Sequence, residues 1–465
     1  MSNEQWQTAR LIPVSGLSGP DEQERRGTSA LLAVLFSVKE FGRALTQRCG
    51  APSGNIETFI EVPFVLGGAK HCQPDGLIRI SRGAKSWTAL VEVKTGRSTL
   101  NPQQLETYLE VARQEGFDAL ITVSNELATG PNEHPAAIDK RLTKKVGLFH
   151  MSWSEIRTEA IIERENHTVS DPDQAWILNE FIRYLEYWKS GAVEFEDMGT
   201  SWVPVRDAVV NATLRTNDAA AIEVASRYAQ LTGFVAMYLS RKLRVDVQPA
   251  LTRSERANPY SRIHAIVADL VAHGRMISSL HVPNAIGSFD VIADLRASRV
   301  ACTLRVDAPT EGKPLTRVNW LLRQLRGAPS DLLISATALR ARSEGPSHRL
   351  DKLLEDPQLL VIDSRTDIRT FSLTLSHPAG TKRGQGQSSF VGSVLKVVDH
   401  FYESVVQHLK AWTPAAPKIK QTAPDAVAQA DAVLSNSLAV VPLVPVSRAT
   451  PIASGGRTPS TSGDR

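Results

Sequence analysis

Residues 74–96 read PDGLIRISRGAKSWTALVEVKTG and hold the pattern that decides how the first part of the chain folds. Two runs rich in β-forming residues flank Gly83, which predicts a β-hairpin. Asp75 stands at the start of the first run, and Glu92 and Lys94 stand at the end of the second. Charged residues on the packing face of a hairpin are costly unless they are paired or bind something. The hairpin is therefore a candidate functional site.

The segments around this hairpin predict an α/β sandwich over residues 21–166 with a central mixed sheet. Helical spacing of apolar residues and single apolar runs alternate along it, and Asn101, Pro102 and Gly116 are typical of a capped helix. The expected elements are a helix at 21–50, strands at 56–66, 75–80 and 86–94, a helix at 100–117, a strand at 118–124, a short helix at 136–145, a strand at 146–153 and a helix at 154–165. That order is typical of an α/β fold.

The rest of the chain predicts four further regions. Residues 1–20 are expected to form a flexible arm and residues 167–202 a helical connector. Residues 203–412 mix helical and strand-like runs, which predicts a second, mixed α+β domain. Residues 413–465 are rich in Pro, Ala, Ser, Thr and Gly and predict a disordered tail.

Composition fits a soluble globular protein of several domains. The 465 residues exceed the size of one ordinary core, and hydrophobic and charged residues make up 42% and 22% of them. The formal net charge of +4 permits a nucleic-acid partner without requiring one. The three cysteines have no CxxC spacing, which favours a reducing compartment. Neither a signal-like start nor a run of about 18 apolar residues is found, so we expect a cytoplasmic protein without a membrane partner.

The residues of the hairpin and the following helix resemble the core of the PD-(D/E)xK, or restriction-endonuclease-like, nuclease superfamily. The resemblance rests on Pro74-Asp75, Glu92-Val93-Lys94, Gln104 and Tyr108, and it covers residues 21–165 in element order. It implies a Mg²⁺- or Mn²⁺-dependent phosphodiesterase.

The resemblance also assigns roles to residues. Asp75 and Glu92 would be metal ligands, and Lys94 and Gln104 would complete the catalytic group. A carboxylate of the first helix would join the metal site; Glu24 and Glu40 are both available, and we favour Glu24, at the polar start of the helix.

The chemistry of phosphodiester hydrolysis suits this set of residues. Mg²⁺ takes one or two carboxylates, keeps several waters and activates one of them. Strand alternation puts Glu92 and Lys94 on one face and Val93 on the other. Lys94 would then orient or deprotonate the attacking water, or neutralise phosphate charge.

Two alternatives stay open for these residues. They could form a salt-bridged hairpin edge, or a nuclease fold that has lost turnover and serves as a nucleic-acid-binding or regulatory protein. Glu-x-Lys alone is uninformative, because Glu311-Gly312-Lys313 follows Asp294 at the same spacing that separates Glu92 from Asp75. That second copy lies among Gly and Pro residues that disfavour a strand.

Further candidates for substrate contact lie outside the hairpin. Arg97 follows the motif strand, and Tyr108 stands four residues after Gln104. Lys382 and Arg383 precede a predicted helix in a Gly- and Ser-rich segment, which is found at anion sites, although an ordinary flexible loop is favoured.

An internal echo, meaning a repeated order of predicted elements, relates the two halves of the chain. Residues 289–336 repeat the order hairpin, helix, strand, with Asp290 near the position of Asp75 and Arg305 and Asp307 in place of Glu92 and Lys94. A diverged duplication and convergent α/β patterning both explain it.

The sequence thus predicts a metal-dependent nuclease acting on DNA. Its C-terminal domain would contribute substrate choice, a protein partner or a second copy of the chain. By analogy, a role in defence, repair or stress response is expected.

Overall fold

The computed structural model describes residues 11–12, 19–68, 70–130, 133–166, 168–361, 363, 365–384, 386, 388–414 and 416, without the Pro259 side chain. The predicted arm over 1–20 and the predicted tail over 413–465 lie almost entirely outside the described residues. The elements described below all belong to one compact unit, Met1–Trp412. None of the helices in these residues is long and apolar enough to cross a membrane.

The first half of the chain contains the elements that surround the hairpin. They are α1 (Pro20–Ser37), α2 (Lys39–Arg48), β1 (Asn55–Ile60), β2 (Phe64–Leu66), β3 (Lys70–Cys72), β4 (Gly76–Arg82), β5 (Lys85–Val93), α3 (Pro102–Glu115), β6 (Ala119–Ser124), β7 (Gly147–Ser152), α4 (Trp153–Glu165) and α5 (Pro172–Leu185).

Five of these strands form a mixed sheet in the order β1-β4-β5-β6-β7. The β1–β4 and β4–β5 pairs are antiparallel, whereas β5–β6 and β6–β7 are parallel. Helix α3 covers one face, where Leu90 and Leu105 share a core, and α1, α2, α4 and α5 cover the other, where Val91 and Val93 are buried. The predicted α/β sandwich with a mixed central sheet is confirmed.

The start of the fold differs from the prediction of one helix over 21–50. The helix breaks at Val38, which is extended (φ −104°, ψ 95°) and fully buried. After the break, Gly42 packs on the preceding helix so closely that a Cβ there would lie 2.2 Å from the Leu35 carbonyl oxygen. The bend lets both helices bury apolar residues against the same sheet face.

Two other predicted elements are corrected. The strand expected at 56–66 ends at Ile60, because Glu61 takes a left-handed conformation (φ 52°), and β2 pairs instead with β3 in a separate hairpin. The short helix expected at 136–145 is only a 3-10 turn, Leu142–Lys144. Ile138 and Leu142 are its half-buried apolar residues, too few to hold a longer helix.

The second half contains the remaining elements. They are α6 (Trp202–Val210), α7 (Ala219–Leu243), β8 (Gln248–Pro249), α8 (Arg253–Ala257), α9 (Pro259–His273), β9 (Arg275–His281), β10 (Phe289–Asp294), β11 (Arg299–Asp307), α10 (Pro314–Gln324), β12 (Leu333–Ala338), β13 (His348–Arg349), α11 (Leu350–Glu355), β14 (Ile368–Pro378) and α12 (Phe390–Ser404).

Seven strands of this half form an antiparallel sheet in the order β13-β12-β14-β11-β10-β9-β8. Helices α7, α9 and α12 pack on it around a separate apolar core. The predicted mixed α+β composition of this region is confirmed. The internal echo is partial: the β10–β11 hairpin, α10 and β12 follow in order, but β14 lies between β11 and β12, whereas β5 and β6 are neighbours.

Candidate active site

Asp75 lies immediately before β4 and is fixed against the neighbouring strand. Its Oδ2 accepts a hydrogen bond of 2.7 Å from the backbone N–H of Val93. The next residue, Gly76, sits under α1, where an added Cβ would lie 2.5 Å from the Leu32 Cδ1 atom. The first helix therefore packs directly over the start of the strand that carries Asp75.

Glu92 is the most deeply buried charged residue of the site, with 1% of its surface exposed. The Lys94 ammonium lies 2.8 Å from Glu92 Oε1, but the approach is not aligned as a hydrogen bond. Among the described residues, neither oxygen of Glu92 has a well-aligned hydrogen-bond donor, and its polar neighbours are the Lys94 ammonium and the Asp75 carboxyl group. Three carboxyl groups, those of Glu24, Asp75 and Glu92, share this one ammonium, so the site favours a further cation when they are ionised.

Lys94 also joins the first helix to the site. Its ammonium donates to Glu24 Oε2 at 3.2 Å, and both side chains are largely buried. Its backbone is fixed on two sides, by an N–H bond to Val123 O of 2.7 Å and by the Trp153 indole, which donates to Lys94 O at 2.9 Å. The motif strand and its neighbours thus hold the ammonium between two carboxylates.

The pKa values of the site follow from burial and mutual charge. Burial and the adjacent Asp75 charge raise the pKa of Glu92 to about 8, against the opposing effect of Lys94. Burial also raises the pKa of Asp75, although the Val93 hydrogen bond and Lys94 act in the other direction. Burial by itself lowers the pKa of Lys94, but Glu92, Glu24 and Asp75 together raise it above its usual range. The ammonium is therefore protonated at neutral pH.

Gln104 and Tyr108 line the same side of the site from α3. The Asn101 side chain caps this helix by accepting from the N–H groups of Gln103 and Gln104, as the sequence predicts. The Gln104 amide donates to the Tyr108 hydroxyl at 3.1 Å, and that hydroxyl donates to Gln73 O at 3.2 Å. Burial and the nearby Glu92 charge raise the pKa of Tyr108 to about 12. Its phenol is therefore neutral beside the acidic pair.

The structure brings together six of the residues expected in the site: Glu24, Asp75, Glu92, Lys94, Gln104 and Tyr108. Glu40, the other carboxylate weighed for the first helix, lies in the first turn of α2 instead. Whether the expected metal site fits an ion depends on the side chains that could coordinate it. In the part of the chain that the structure describes, no group of three or more His, Cys, Asp or Glu side chains is arranged to bind a metal ion. Asp75 and Glu92, two neighbouring carboxyl groups, nevertheless fit Mg²⁺, which takes one or two carboxylates and keeps waters.

Comparison with known proteins finds no matching family model, no matching curated protein and no matching solved structure.

The other expected substrate contacts lie apart from this cluster. Arg97 is exposed and lines a cavity of about 510 Å³ with Asn125 and Glu126. Arg383 lies 3.7 Å from Asp197, and Lys382 pairs with Ser389, the N-cap of α12. These contacts do not include the acidic cluster.

The segment after α5 closes over the end of β5. The Asn125 amide donates to Gly96 O at 3.0 Å and to Gly191 O at 2.7 Å, and its oxygen accepts from Val193 N–H at 2.8 Å. Gly191 has a φ of 83°, and a Cβ there would lie 2.7 Å from the Thr95 Cβ atom. The loop thus passes directly over the residue that follows Lys94.

A polar row that no sequence motif predicts runs across the sheet beside Glu92. Glu92 is in register with Thr122 on β6, and Thr122 is in register with His150 on β7. The Thr122 hydroxyl lies 2.9 Å from His150 Nδ1 and 2.8 Å from His134 Nε2. Only strand register places these residues together, and the sequence carries no spacing that would show it.

The hydrogen bonds assign the state of both imidazoles. His150 Nε2 faces Glu126 O at 2.8 Å and must carry a proton, so its Nδ1 accepts from the Thr122 hydroxyl. His134 Nε2 then donates to Thr122, and its Nδ1 accepts from Ala136 N–H at 3.1 Å. Burial lowers the pKa of each histidine to about 4. Both are therefore neutral and form a satisfied structural network.

Proposed function

We propose that the protein is a divalent-metal-dependent nuclease that hydrolyses phosphodiester bonds in DNA. One observation carries the proposal: Glu92 is buried beside Asp75, and it shares the single ammonium of Lys94 with Glu24. This is the arrangement that the resemblance to PD-(D/E)xK nucleases implies for the motif residues.

Asp75 and Glu92 would hold Mg²⁺ or Mn²⁺, with Glu24 as the nearest further carboxylate. The metal would supply an activated water and would neutralise charge on the phosphate. Asp75 is already oriented by the Val93 N–H, and its carboxyl group also contacts Glu92. Glu92 would bind the cation beside the Lys94 ammonium, which lies 2.8 Å from its Oε1 atom.

Lys94 acts as a cation and a hydrogen-bond donor. Because its pKa is raised by the surrounding carboxylates, its ammonium stays protonated at neutral pH. It would orient the attacking water and offset the negative charge that develops on the phosphate. From α3, Gln104 and the neutral Tyr108 would position the substrate or the water. Arg97 would contact another phosphate of the bound DNA strand. Lys382 and Arg383 have no part in this proposal.

We place the protein in the cytoplasm. Support comes from its cysteines, since Cys49, Cys72 and Cys302 are all free thiols and two of them are buried. Free thiols are typical of reducing compartments.

The test is cleavage of single-stranded, double-stranded and branched DNA, and of RNA, by the full chain with Mg²⁺ or Mn²⁺. We expect metal-dependent cleavage of DNA, which falls by roughly 10²–10⁴-fold in Glu92→Gln and Lys94→Ala, as loss of a positioned catalytic group does.

The second Glu-x-Lys sequence provides matched controls. Glu311 and Lys313 lie in the loop between β11 and α10, so Glu311→Gln and Lys313→Ala should cleave like the wild type. Absence of metal-dependent cleavage, or equal rates for Lys94→Ala and the wild type, would contradict the proposal. Salt-sensitive nucleic-acid binding without cleavage would identify a silent binding module instead.

A further inference from the structure

A cavity of about 800 Å³ lies between helices of the two halves of the chain. Residues of α4 form one side, and α7, the segment at 246–252 and the start of α9 form the other. Its lining does not include Asp75, Glu92 or Lys94. Its volume is that of a small-molecule site, which is typically about 300–1,000 Å³.

Arg262, in the first turns of α9, lines this cavity and is 6% exposed. Among the described residues its guanidinium has no hydrogen bond or ion pair. Glu255, the carboxylate that acts on it electrostatically, is already engaged by Thr252 in a capping box, and the Tyr228 hydroxyl donates to Val291 O. A charged side chain with so little exposure is costly to leave unpaired.

The other charged residues of the cavity wall differ from Arg262, because each has a partner. Glu159 is paired with Arg48, Glu155 accepts from Ser152, Asp246 accepts from Gln248, and Arg256 donates to Leu251 O. The wall therefore offers one buried positive charge that the described residues leave unpaired.

Gly233 keeps the same cavity open from within α7. A glycine in a helix interior costs about 1 kcal/mol relative to alanine. No atom lies within 4 Å of the position that a Cβ would take at Gly233, so no packing contact explains the glycine. Because Gly233 has no side chain, it leaves open space in the cavity that Arg262 also lines.

The remaining wall is mainly apolar. It includes Leu127, Ile162, Ala236, Met237, Val247 and Leu251.

We propose that this cavity binds a small organic anion, with a carboxylate or phosphate paired to Arg262 and an apolar body lying along Gly233 and the aliphatic wall. The site is separate from the proposed nuclease centre and does not rest on that function. Because the wall draws on both halves of the chain, the bound ligand stabilises the folded unit as a whole.

The first test is fluorescence titration of the full chain with anilinonaphthalene sulfonate, an apolar anion. We expect saturable one-to-one binding, weakened by roughly 10-fold or more in Arg262→Gln, the size of a lost charged hydrogen bond. Arg253→Gln is the matched control, since Arg253 is exposed on the neighbouring helix α8 and should bind the probe like the wild type. Equal affinity of Arg262→Gln and the wild type overturns the proposal.

A cavity-filling variant keeps the test decisive if Arg262→Gln does not fold. Gly233→Leu places a side chain in open space and improves helix propensity, so it should melt no lower than the wild type. It should also lose probe binding by roughly 10-fold or more, because the cavity is filled. A folded Gly233→Leu that binds the probe normally overturns the proposal.

Competition then defines the anionic group. Octanoate and octyl phosphate are added against the bound probe, with octanol as the neutral control of equal chain length. Displacement by octanoate identifies a carboxylate site and displacement by octyl phosphate a phosphate site. If octanol displaces the probe as well as the two anions do, or if neither anion displaces it, the proposed pairing of a ligand anion with Arg262 is overturned.

Discussion

The Asp75 carboxylate accepts the backbone N–H of Val93 at 2.7 Å and so ties the start of β4 to the strand that carries Glu92. This contact fixes one acidic residue against the backbone next to the other. Asp75 has two roles, as a hydrogen-bond acceptor and as a charge. Substitution by asparagine separates them, because it can keep the hydrogen bond while removing the charge.

We predict that Asp75→Asn and Asp75→Ala differ in stability. Asp75→Ala leaves the partly buried Val93 N–H unpaired and should lower the free energy of unfolding by roughly 1–3 kcal/mol. Asp75→Asn should be at least as stable as the wild type at neutral pH, since it removes a charge that raises the pKa of Glu92. Urea denaturation measures both.

Asp118 provides the control for this pair. Its carboxylate accepts Thr88 N–H at 2.8 Å at the opposite end of β5. Asp118→Asn keeps the acceptor, and its free energy of unfolding should stay close to that of the wild type. An Asp75→Asn variant less stable than Asp75→Ala would contradict the role given to the hydrogen bond.

Glu92 predicts an unusual pH dependence of stability. Its pKa rises from 4.5 to about 8 on folding, so the folded state holds the proton more tightly. The stabilisation is complete below about pH 4.5 and is lost as pH rises through 8. The melting temperature of Glu92→Gln should therefore increasingly exceed that of the wild type between these limits.

Metal binding should offset the loss of stability that ionisation of Glu92 causes as pH rises. Because Mg²⁺ requires the ionised carboxylate, it should raise the melting temperature of the wild type more at pH 8 than at pH 6, and should release protons when added near neutral pH. Glu92→Gln should show neither response. Calorimetry in buffers of different ionisation enthalpy measures the protons; a wild type that releases none contradicts the metal site.

The hydrogen-bond network around Thr122 should lose stability as pH falls, which is the opposite of the dependence expected for Glu92. Thr122→Val keeps the shape of the residue but leaves His134 Nε2 and His150 Nδ1 without their partner, which should cost roughly 1–3 kcal/mol. Thr213→Val, at an exposed threonine, should stay within about 0.5 kcal/mol of the wild type.

Both histidines have a folded pKa of about 4, below the unfolded value of 6.5. Their contribution to stability is complete above pH 6.5 and is lost as pH falls towards 4. Nuclear magnetic resonance titration of the imidazoles should show no protonation at pH 6. A histidine that titrates near 6.5 would contradict the buried network.

Two helix glycines should respond to alanine with opposite signs. Gly42→Ala places a Cβ 2.2 Å from the Leu35 carbonyl oxygen, a backbone atom that cannot move alone, and should destabilise by roughly 2 kcal/mol or more. Gly233→Ala meets nothing and should stabilise by roughly 0.5–1 kcal/mol. Thermal unfolding of the two variants compares them directly, and the same sign for both would contradict the packing described at α1 and α2.

Local signals in the sequence were sufficient for much of the first sheet. Asn101 and Gly116 cap α3 where predicted, and the 74–96 hairpin brings Glu92 and Lys94 to one place, because caps and strand alternation act over a few residues. The break at Val38 could not be foreseen, since helical spacing of apolar residues continues through it. The position of β14 depends on pairing between strands far apart in the chain, which no local pattern encodes.

Helix α5 has a consequence for how the chain is made. Leu178, Phe181 and Leu185 of this helix complete the core under the first sheet, although the last strand of that sheet ends at Ser152. During synthesis α1 and α2 leave the ribosome before the sheet, whereas α5 leaves after it. At about 5–20 residues per second, the part of the apolar face that α5 covers therefore stays open for seconds.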